Sequence, residues 1–346
     1  MKKYREGRSM EFVEKDPTLE NYWRAIILFG ANTASYKFAL AHALYDVAAV
    51  NNDLITLDDL ALPFASHICR HLAAAPKQAT SPTSKFLDSC RQFNAGEKDQ
   101  SALISDTLKY GFVNVIDAFH KVNRKDIDKR FFIDERRANK GIRITDSFFQ
   151  LSESSQYKSF EPETGARWSL VEEAWASGVG KNLVAIEYDQ ELKQLFSKRN
   201  NLRVDVTSVR GALNGYQKGK CFYCYKAITI VSGDNDLADV DHFIPFVAQT
   251  AVGTINGVWN LVLSCSYCNR GVGGKFAQLP TVKLLKRLHK RNEYFISSHL
   301  PLRETLIRQT GQSEALRKMY LQNQYDKAKS ILIHTWEPEA QAGDLF

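Results

Sequence analysis

Over residues 18–120 apolar side chains recur every three or four positions, the spacing of amphipathic helices. In TLENYWRAIILFG, Leu19, Tyr22, Trp23, Ile26 and Ile27 share one helical face. Thr18 suits the N-cap, Glu20 and Asn21 fall in the first turn, and Gly30 is the stop. A second helix is predicted after Thr33 in TASYKFALAHALYDVAAV. LDDLALPFASHICRHLAAA and SKFLDSCRQF continue the pattern on either side of the loop PKQATSPTS. From about residue 125 the period changes. RFFIDERRANKGIRITDSFFQL predicts two strands joined by a turn around Asn139–Gly141, and WSLVEEAWASG predicts a short helix stopped by Gly178. Helical spacing returns in VTSVRGALNGYQKG and in LPTVKLLKRLHKRNEYF.

This order of elements predicts an α+β protein. Its parts are a mainly helical domain over residues 1–124, a mixed β/α connecting region over 125–202, a C-terminal module with flanking helices over 203–336, and a polar tail over 337–346. A chain of 346 residues has room for two or three domains. With 44% hydrophobic and 25% charged residues it is globular in composition, neither disordered nor fibrous. The balance of 46 Lys+Arg against 39 Asp+Glu gives +7, a mild bias that permits nucleic-acid binding without requiring it. No apolar run approaches the ~20 residues that span a bilayer, AIILF being the strongest. The opening MKKYREGRSMEFVEKD is positive but has no apolar stretch behind it, so it is not a secretory signal. The expectation is a cytoplasmic protein with no membrane partner. Six cysteines in such a chain do not suggest a disulfide scaffold; in a reducing compartment paired CxxC motifs more often hold metal.

Two such pairs are present, Cys221 and Cys224 in CFYC and, about forty residues on, Cys265 and Cys268 in CSYC. Each offers two thiolates, and together they complete a tetrahedral four-cysteine zinc site with no open position, hence structural and not catalytic. Structural zinc is worth about 10–16 kcal/mol in small peptides, whereas a small core rarely nets more than about 3–5 kcal/mol. Zinc should therefore decide whether the module folds. His67, Cys69 and His71 also lie close together, but no second ligand pair follows at a recognised spacing, and they read as core residues. GVGKN lacks the glycine spacing and the Lys-Ser/Thr pair of a phosphate loop.

Between the cysteine pairs the sequence is richer than a zinc ribbon needs. DVDHFIP places Asp241 beside His242 with Pro245 limiting the strand, Asn260 precedes CSYC by five residues, and Asn269 directly follows it. Singly, each residue has a plainer use: His242 as a satisfied core histidine, Asp241 as a partner for a lysine, Asn260 as a turn cap, Asn269 as a left-handed residue after the knuckle. In combination they resemble the HNH endonuclease module, the ββα-metal nuclease fold in its four-cysteine zinc-bearing form. DVDHFIP and NRG are also similar to segments in the HNH domain of RNA-guided nucleases. The likeness covers roughly residues 203–285, and the last position, often His in the family, is Asn269 here. The resemblance implies metal-dependent hydrolysis of DNA phosphodiesters. His242 would be the general base, Asp241 and Asn269 the ligands of a catalytic Mg2+ or Mn2+, and Asn260 the residue that orients His242 and braces its loop. The chemistry is consistent: an imidazole near pKa ~6.5 can accept a proton from water at neutral pH, and amide and carboxylate oxygens are the hard donors that Mg2+ takes.

On the helix predicted after Pro280, Lys283, Lys286, Arg287 and Lys290 fall at i, i+3, i+4 and i+7, a basic stripe opposite Leu284, Leu285 and Leu288. With Arg270 and Lys275 these residues are the candidate phosphate contacts; the alternative for the stripe is an ordinary solvated face. Arg130, Arg136, Arg137, Lys140 and Arg143 in the hairpin carry the same two readings, phosphate contact or charged sheet edge. The expected partner is double-stranded DNA, with a regulatory protein docking on the helical N-terminal domain, which would act as sensor, docking or inhibitory part. Family likeness implies a setting in prokaryotic phage defence or restriction. The rival is a catalytically silent zinc module that only binds nucleic acid or a partner. A zinc deaminase is excluded, because neither cysteine pair follows a proline and no His-x-Glu occurs.

Overall fold

The computed structural model describes residues 17–30, 33–47, 53–122, 125–176, 186–189, 194–199, 202–298 and 302–339, with only the backbone course given for most of 186–208. Gly178, the predicted helix stop, GVGKN and most of the polar tail lie outside the described residues. The first part of the chain runs through helices α1 (Leu19–Phe29) and α2 (Tyr36–Val47), strand β1 (Leu54–Thr56), helices α3 (Leu57–Ala74), α4 (Lys85–Asn94), α5 (Gln100–Asp106) and α6 (Val115–Phe119), and the short strands β2 (Lys121–Val122) and β3 (Lys125–Asp126). Then come β4 (Phe132–Glu135), α7 (Arg136–Asn139), β5 (Gly141–Ile144), α8 (Asp146–Ser152) and α9 (Tyr157–Ala176). A three-stranded antiparallel sheet of β6 (Ile186–Asp189), β7 (Gln194–Arg199) and β8 (Leu202–Ser208) leads into α10 (Val209–Gln217). The remainder is β9 (Asp239–His242), β10 (Leu261–Ser264), α11 (Ser266–Arg270), β11 (Leu279–Pro280), α12 (Val282–Ser297), α13 (Leu302–Thr310), α14 (Glu314–Lys329) and β12 (Thr335–Trp336). Helices dominate, the sheets are small, and the class is α+β.

Local rules account for several of these boundaries. Thr18 Oγ1 caps α1 by accepting from the Asn21 amide at 3.3 Å, and Gly30 ends the helix on the Ile26 carbonyl. The predicted hairpin forms, with Phe132 opposite Ile144 and Glu135 opposite Gly141. Its turn is a single helical turn, α7, which closes on left-handed Lys140. Gly141 is required because β1 packs against it: a Cβ there would lie 2.3 Å from the Ile55 carbonyl oxygen. Three of the four hairpin arginines are engaged in ion pairs of the fold itself, Arg136 with Asp117 and Asp134, Arg143 with Asp53 and Glu135, and Arg130 with Asp126, while Arg137 and Lys140 are exposed.

Buried apolar residues form two cores. The first gathers α1–α6, α8 and α9 with β1, β4 and β5 around Trp23, whose ring meets Tyr45, Phe119, Phe131 and Phe148 at centroid distances of 5.1–5.8 Å. Residues 125–176, expected as a connecting region, supply Phe131, Phe132, Ile142, Phe148 and Trp168 to it. His67 and His71 diverge onto Asp46 and Glu172, both at 2.7 Å, and Cys69 approaches the Cys90 carbonyl, in keeping with their reading as core residues. The second core gathers α10, the cysteine pairs, β9, β10 and α12–α14.

Helix α9 lies between the two, with Trp168, Val171 and Trp175 in the first core and Leu170 in the second. It starts at Tyr157, well before the predicted WSLVEEAWASG. A helix covered all round shows no apolar stripe, and its buried polar residues are paired instead. Glu163 takes both Arg24 Nε and Nη2 at 2.8 Å and Asn214 Nδ2 at 2.8 Å. Gly211 lets α10 cross α9 closely, since a Cβ there would lie 2.8 Å from the Ala166 Cβ. VTS, expected as the start of α10, is instead the end of β8.

Candidate functional site

The strand pair β9–β10 is antiparallel, with Asp241 opposite Val262 and His242 opposite Leu261; α11 follows β10 directly. Both cysteine pairs are fixed to this unit. The Phe222 amide donates to the Leu263 carbonyl at 2.9 Å, and the Gln217 side chain from α10 bridges both backbone groups of Leu263, at 2.8 and 2.7 Å. In the second pair, Cys265 caps α11, its Sγ accepting from the Cys268 amide at 3.4 Å. The ligand atoms of Cys221, Cys224, Cys265 and Cys268 all lie within 4.8 Å of one another and could hold a metal ion; no other group of three or more His, Cys, Asp or Glu does so among the described residues. Hydrogen bonding with Cys221 lowers the Cys224 thiol to about 7 and lowers that of Cys265 further. Burial raises the Cys221 thiol, and hydrogen bonding with Cys221 raises that of Cys268, so a bound cation would have to displace the protons of these two.

Asp239 and Asp241 share one face of β9, and His242 points to the other. The Asp241 carboxylate is buried, and both its oxygens are engaged: Oδ2 accepts from the Tyr223 hydroxyl at 2.6 Å, and Oδ1 lies 3.2 Å from the Lys275 ammonium. Burial pushes the Asp241 carboxyl above the usual range, and the neighbouring Lys275 charge opposes that shift. Lys275 Nζ also donates to the carbonyls of His242 (3.0 Å) and Phe276 (3.3 Å), while its own amide donates to Cys268 O at 2.7 Å. The imidazole of His242 is 7% exposed, with Nε2 2.8 Å from Asn256 Oδ1 and its ring against Phe246. Burial lowers its pKa below 6.5, so the ring is neutral at pH 7. A neutral ring that donates from Nε2 keeps its lone pair on Nδ1.

Asn260 braces the loop as expected but does not orient His242 through its side chain. Its amide is spent on Ile244 N (2.8 Å), Ile244 O (3.0 Å) and Ile255 O (2.9 Å), and Asn256 is the residue that meets the imidazole. Nor does Asn269 meet Asp241: its Nδ2 donates to Asp239 Oδ2 at 3.2 Å, an oxygen that Arg270 Nε also reaches at 3.0 Å. Asp239 is thus the carboxylate that joins strand and helix. The sequence reading passed over it, although its place two residues before Asp241 sets both on one face of the strand. Nothing in the sequence singled out Tyr223, Asn256 or Gln217.

Two of the expected phosphate contacts turn inward. Lys275 is fully buried at Asp241. Arg287 is 7% exposed, donates to the carbonyls of Phe222 (2.6 Å) and Tyr223 (2.8 Å), and lies over the Tyr225 ring at 4.2 Å. The reason is helical geometry: position 287 flanks the face of Leu284 and Leu288, where knuckle carbonyls need donors. Arg291, one turn on, donates in the same way to Val258 O and Trp259 O. Of the rest, Lys286 and Lys290 are exposed, Lys283 pairs with Glu337 at 3.2 Å, and exposed Arg270 pairs with Asp239.

No helix among the described residues is long and apolar enough to cross a membrane. Comparison with known proteins finds no matching family model, no matching curated protein and no matching solved structure.

Proposed function

We propose that residues 203–336 are an HNH-type nuclease module that hydrolyses DNA phosphodiesters, with a structural zinc and a catalytic Mg2+ or Mn2+. The observation that carries this reading is the ββα order of β9, β10 and α11, with Asp241 and His242 on the first strand, Asn269 on the helix, and four cysteines joining the ends. A tetrahedron with Zn–S of ~2.3 Å has S···S edges of ~3.8 Å, and Cys224 Sγ lies 3.8 Å from Cys265 Sγ. With all four positions filled by sulfur, the zinc would act on folding and not on substrate.

For the second ion the donor set fits in kind. Asp239 and Asp241 present carboxylates on one face of β9, and Asn269 brings an amide to Asp239. A divalent ion held by Asp241 and Asn269 would neutralise charge on the leaving oxygen. His242, neutral and oriented by Asn256, would take a proton from the attacking water. The helical N-terminal part would serve as the regulatory or docking domain of a phage-defence or restriction enzyme.

One observation favours the rival, a silent zinc module: Lys275 and Tyr223 already compensate Asp241. Incubating the pure chain with plasmid, linear and single-stranded DNA and with RNA, with Mg2+, Mn2+ or EDTA, separates the two. Metal-dependent cutting supports the nuclease; binding without cutting under every condition supports the rival.

A further inference from the structure

The two oxygens of Asp241 are held from two different directions. Oδ2 is bound by Tyr223, which lies inside the first cysteine pair, between Cys221 and Cys224. Oδ1 faces Lys275, whose backbone amide is bonded to Cys268 of the second pair. The next amide along, that of Phe276, donates to the Asn269 carbonyl at 3.0 Å, and Lys275 Nζ also holds the His242 carbonyl. One short segment therefore ties Cys268, Asn269, Asp241 and the backbone of His242 together. Tyr223 is itself fixed, fully buried with its ring edge-on to Trp336 at 5.1 Å, and Arg287 from α12 donates to its carbonyl.

We propose that Tyr223 and Lys275 are positioning residues: each fixes one oxygen of Asp241 from one cysteine knuckle, so that clamping of the knuckles aligns the carboxylate. The claim rests on the nuclease reading and deepens it. A carboxylate on a strand rotates about two side-chain torsions; a hydroxyl on one oxygen and an ammonium on the other remove both freedoms. The ammonium also makes three contacts at once, to Asp241 and to the carbonyls of His242 and Phe276, so it stays with the protein and does not reach for substrate. Two side chains that sequence reading left aside, or placed on the DNA, thereby acquire a role inside the site.

The test uses the zinc-loaded full chain and its Tyr223→Phe, Lys275→Met and Lys275→Arg variants. Zinc content, Mn2+ affinity by electron paramagnetic resonance, and kcat and KM on DNA are measured for each. Tyr223→Phe should keep one zinc per chain and the wild-type KM, while Mn2+ affinity and kcat each fall by roughly 10–100-fold, the usual loss on removing a residue that orients a ligand. Lys275→Met should also lower kcat, and Lys275→Arg should recover part of it; because the Met variant also removes a positive charge 3.2 Å from Asp241 Oδ1, its Mn2+ affinity is not used to judge positioning. If Lys275→Met fails to fold, Tyr223→Phe decides, because its ring and packing remain. If the wild type cuts and Tyr223→Phe matches it in kcat and Mn2+ affinity, the positioning claim falls alone. If the wild type cuts nothing, the nuclease reading falls and takes this claim with it.

Discussion

Asn260 and Ile244 hold each other by a closed pair of hydrogen bonds: the Ile244 amide donates to Asn260 Oδ1 at 2.8 Å, and Asn260 Nδ2 returns to the Ile244 carbonyl at 3.0 Å. A third bond runs to Ile255 O, so one fully buried amide spans the chain on both sides of Pro245 and the turn that carries Asn256 to the imidazole. Replacing Asn260 by Ala should cost about 3 kcal/mol, because buried backbone groups are left unpaired. Asn260→Asp should cost at least as much, since a carboxylate oxygen would face two carbonyls. Denaturant unfolding measures both; a cost below about 1 kcal/mol in each would contradict the brace.

His242→Ala should leave zinc content intact and the module folded, and reduce cutting by about 10²–10⁴-fold, the range that general-base catalysis contributes. Full activity in this variant would remove His242 as the base.

Cys224→Ser should lose the bound metal and unfold the second core, because the cation is worth about 10 kcal/mol or more to a module of this kind. Metal analysis together with protease sensitivity of residues 203–336 checks it. A stable, protease-resistant variant would overturn the structural role.

The basic helix should divide into two functions. Changing Lys283, Lys286 and Lys290 to Gln should flatten the dependence of log K on log salt by about 0.9 for each lost phosphate contact. Arg287→Gln should instead destabilise the knuckle, since its guanidinium holds the carbonyls of Phe222 and Tyr223. Binding titrations across a salt series separate these effects, and an unchanged slope in the triple variant would return the lysines to the solvated-face reading.

The first core should be acid-sensitive. Burial lowers His120 to about 3, with Arg130 and Lys37 adding repulsion, and lowers His42 to about 3, with His67, His71 and Arg70 adding theirs. A histidine whose folded pKa lies below its unfolded value of ~6.5 costs nothing above pH ~6.5. Below that, the unfolded chain takes up the proton first, and stability falls as pH drops towards about 3. At about pH 4.5 the loss is on the order of 3 kcal/mol for each histidine. His120→Gln keeps an acceptor for the Phe131 amide, which His120 Nε2 now serves at 3.0 Å. The drop in melting temperature between pH 7.5 and 5 should therefore be smaller in this variant, and an equal drop would exclude His120 as a source.

Legibility followed the range of the interaction. The caps of α1, the β4–β5 hairpin and the clustering of four cysteines depend on neighbours a few residues apart or on one strong chemical pairing, and these were readable. Helix α9 was read too short because its covering on all sides erases the apolar stripe. Tyr223 gave no signal, since its importance lies in a bond to a residue eighteen positions away.

The sequence by itself determined which residue types are available: four thiols in two tight pairs, an Asp-His step on a strand, asparagines before and after the second pair. It also offered a lysine as the plain partner of Asp241, without saying which. Tertiary structure decided the partners. It turned Lys275 and Arg287 inward, gave Asn256 to His242, and set Asn269 on Asp239. A buried charge or amide must find its complement among whatever groups the fold brings within about 3 Å, and that set is fixed by the packing of distant segments, not by the order of residues along the chain.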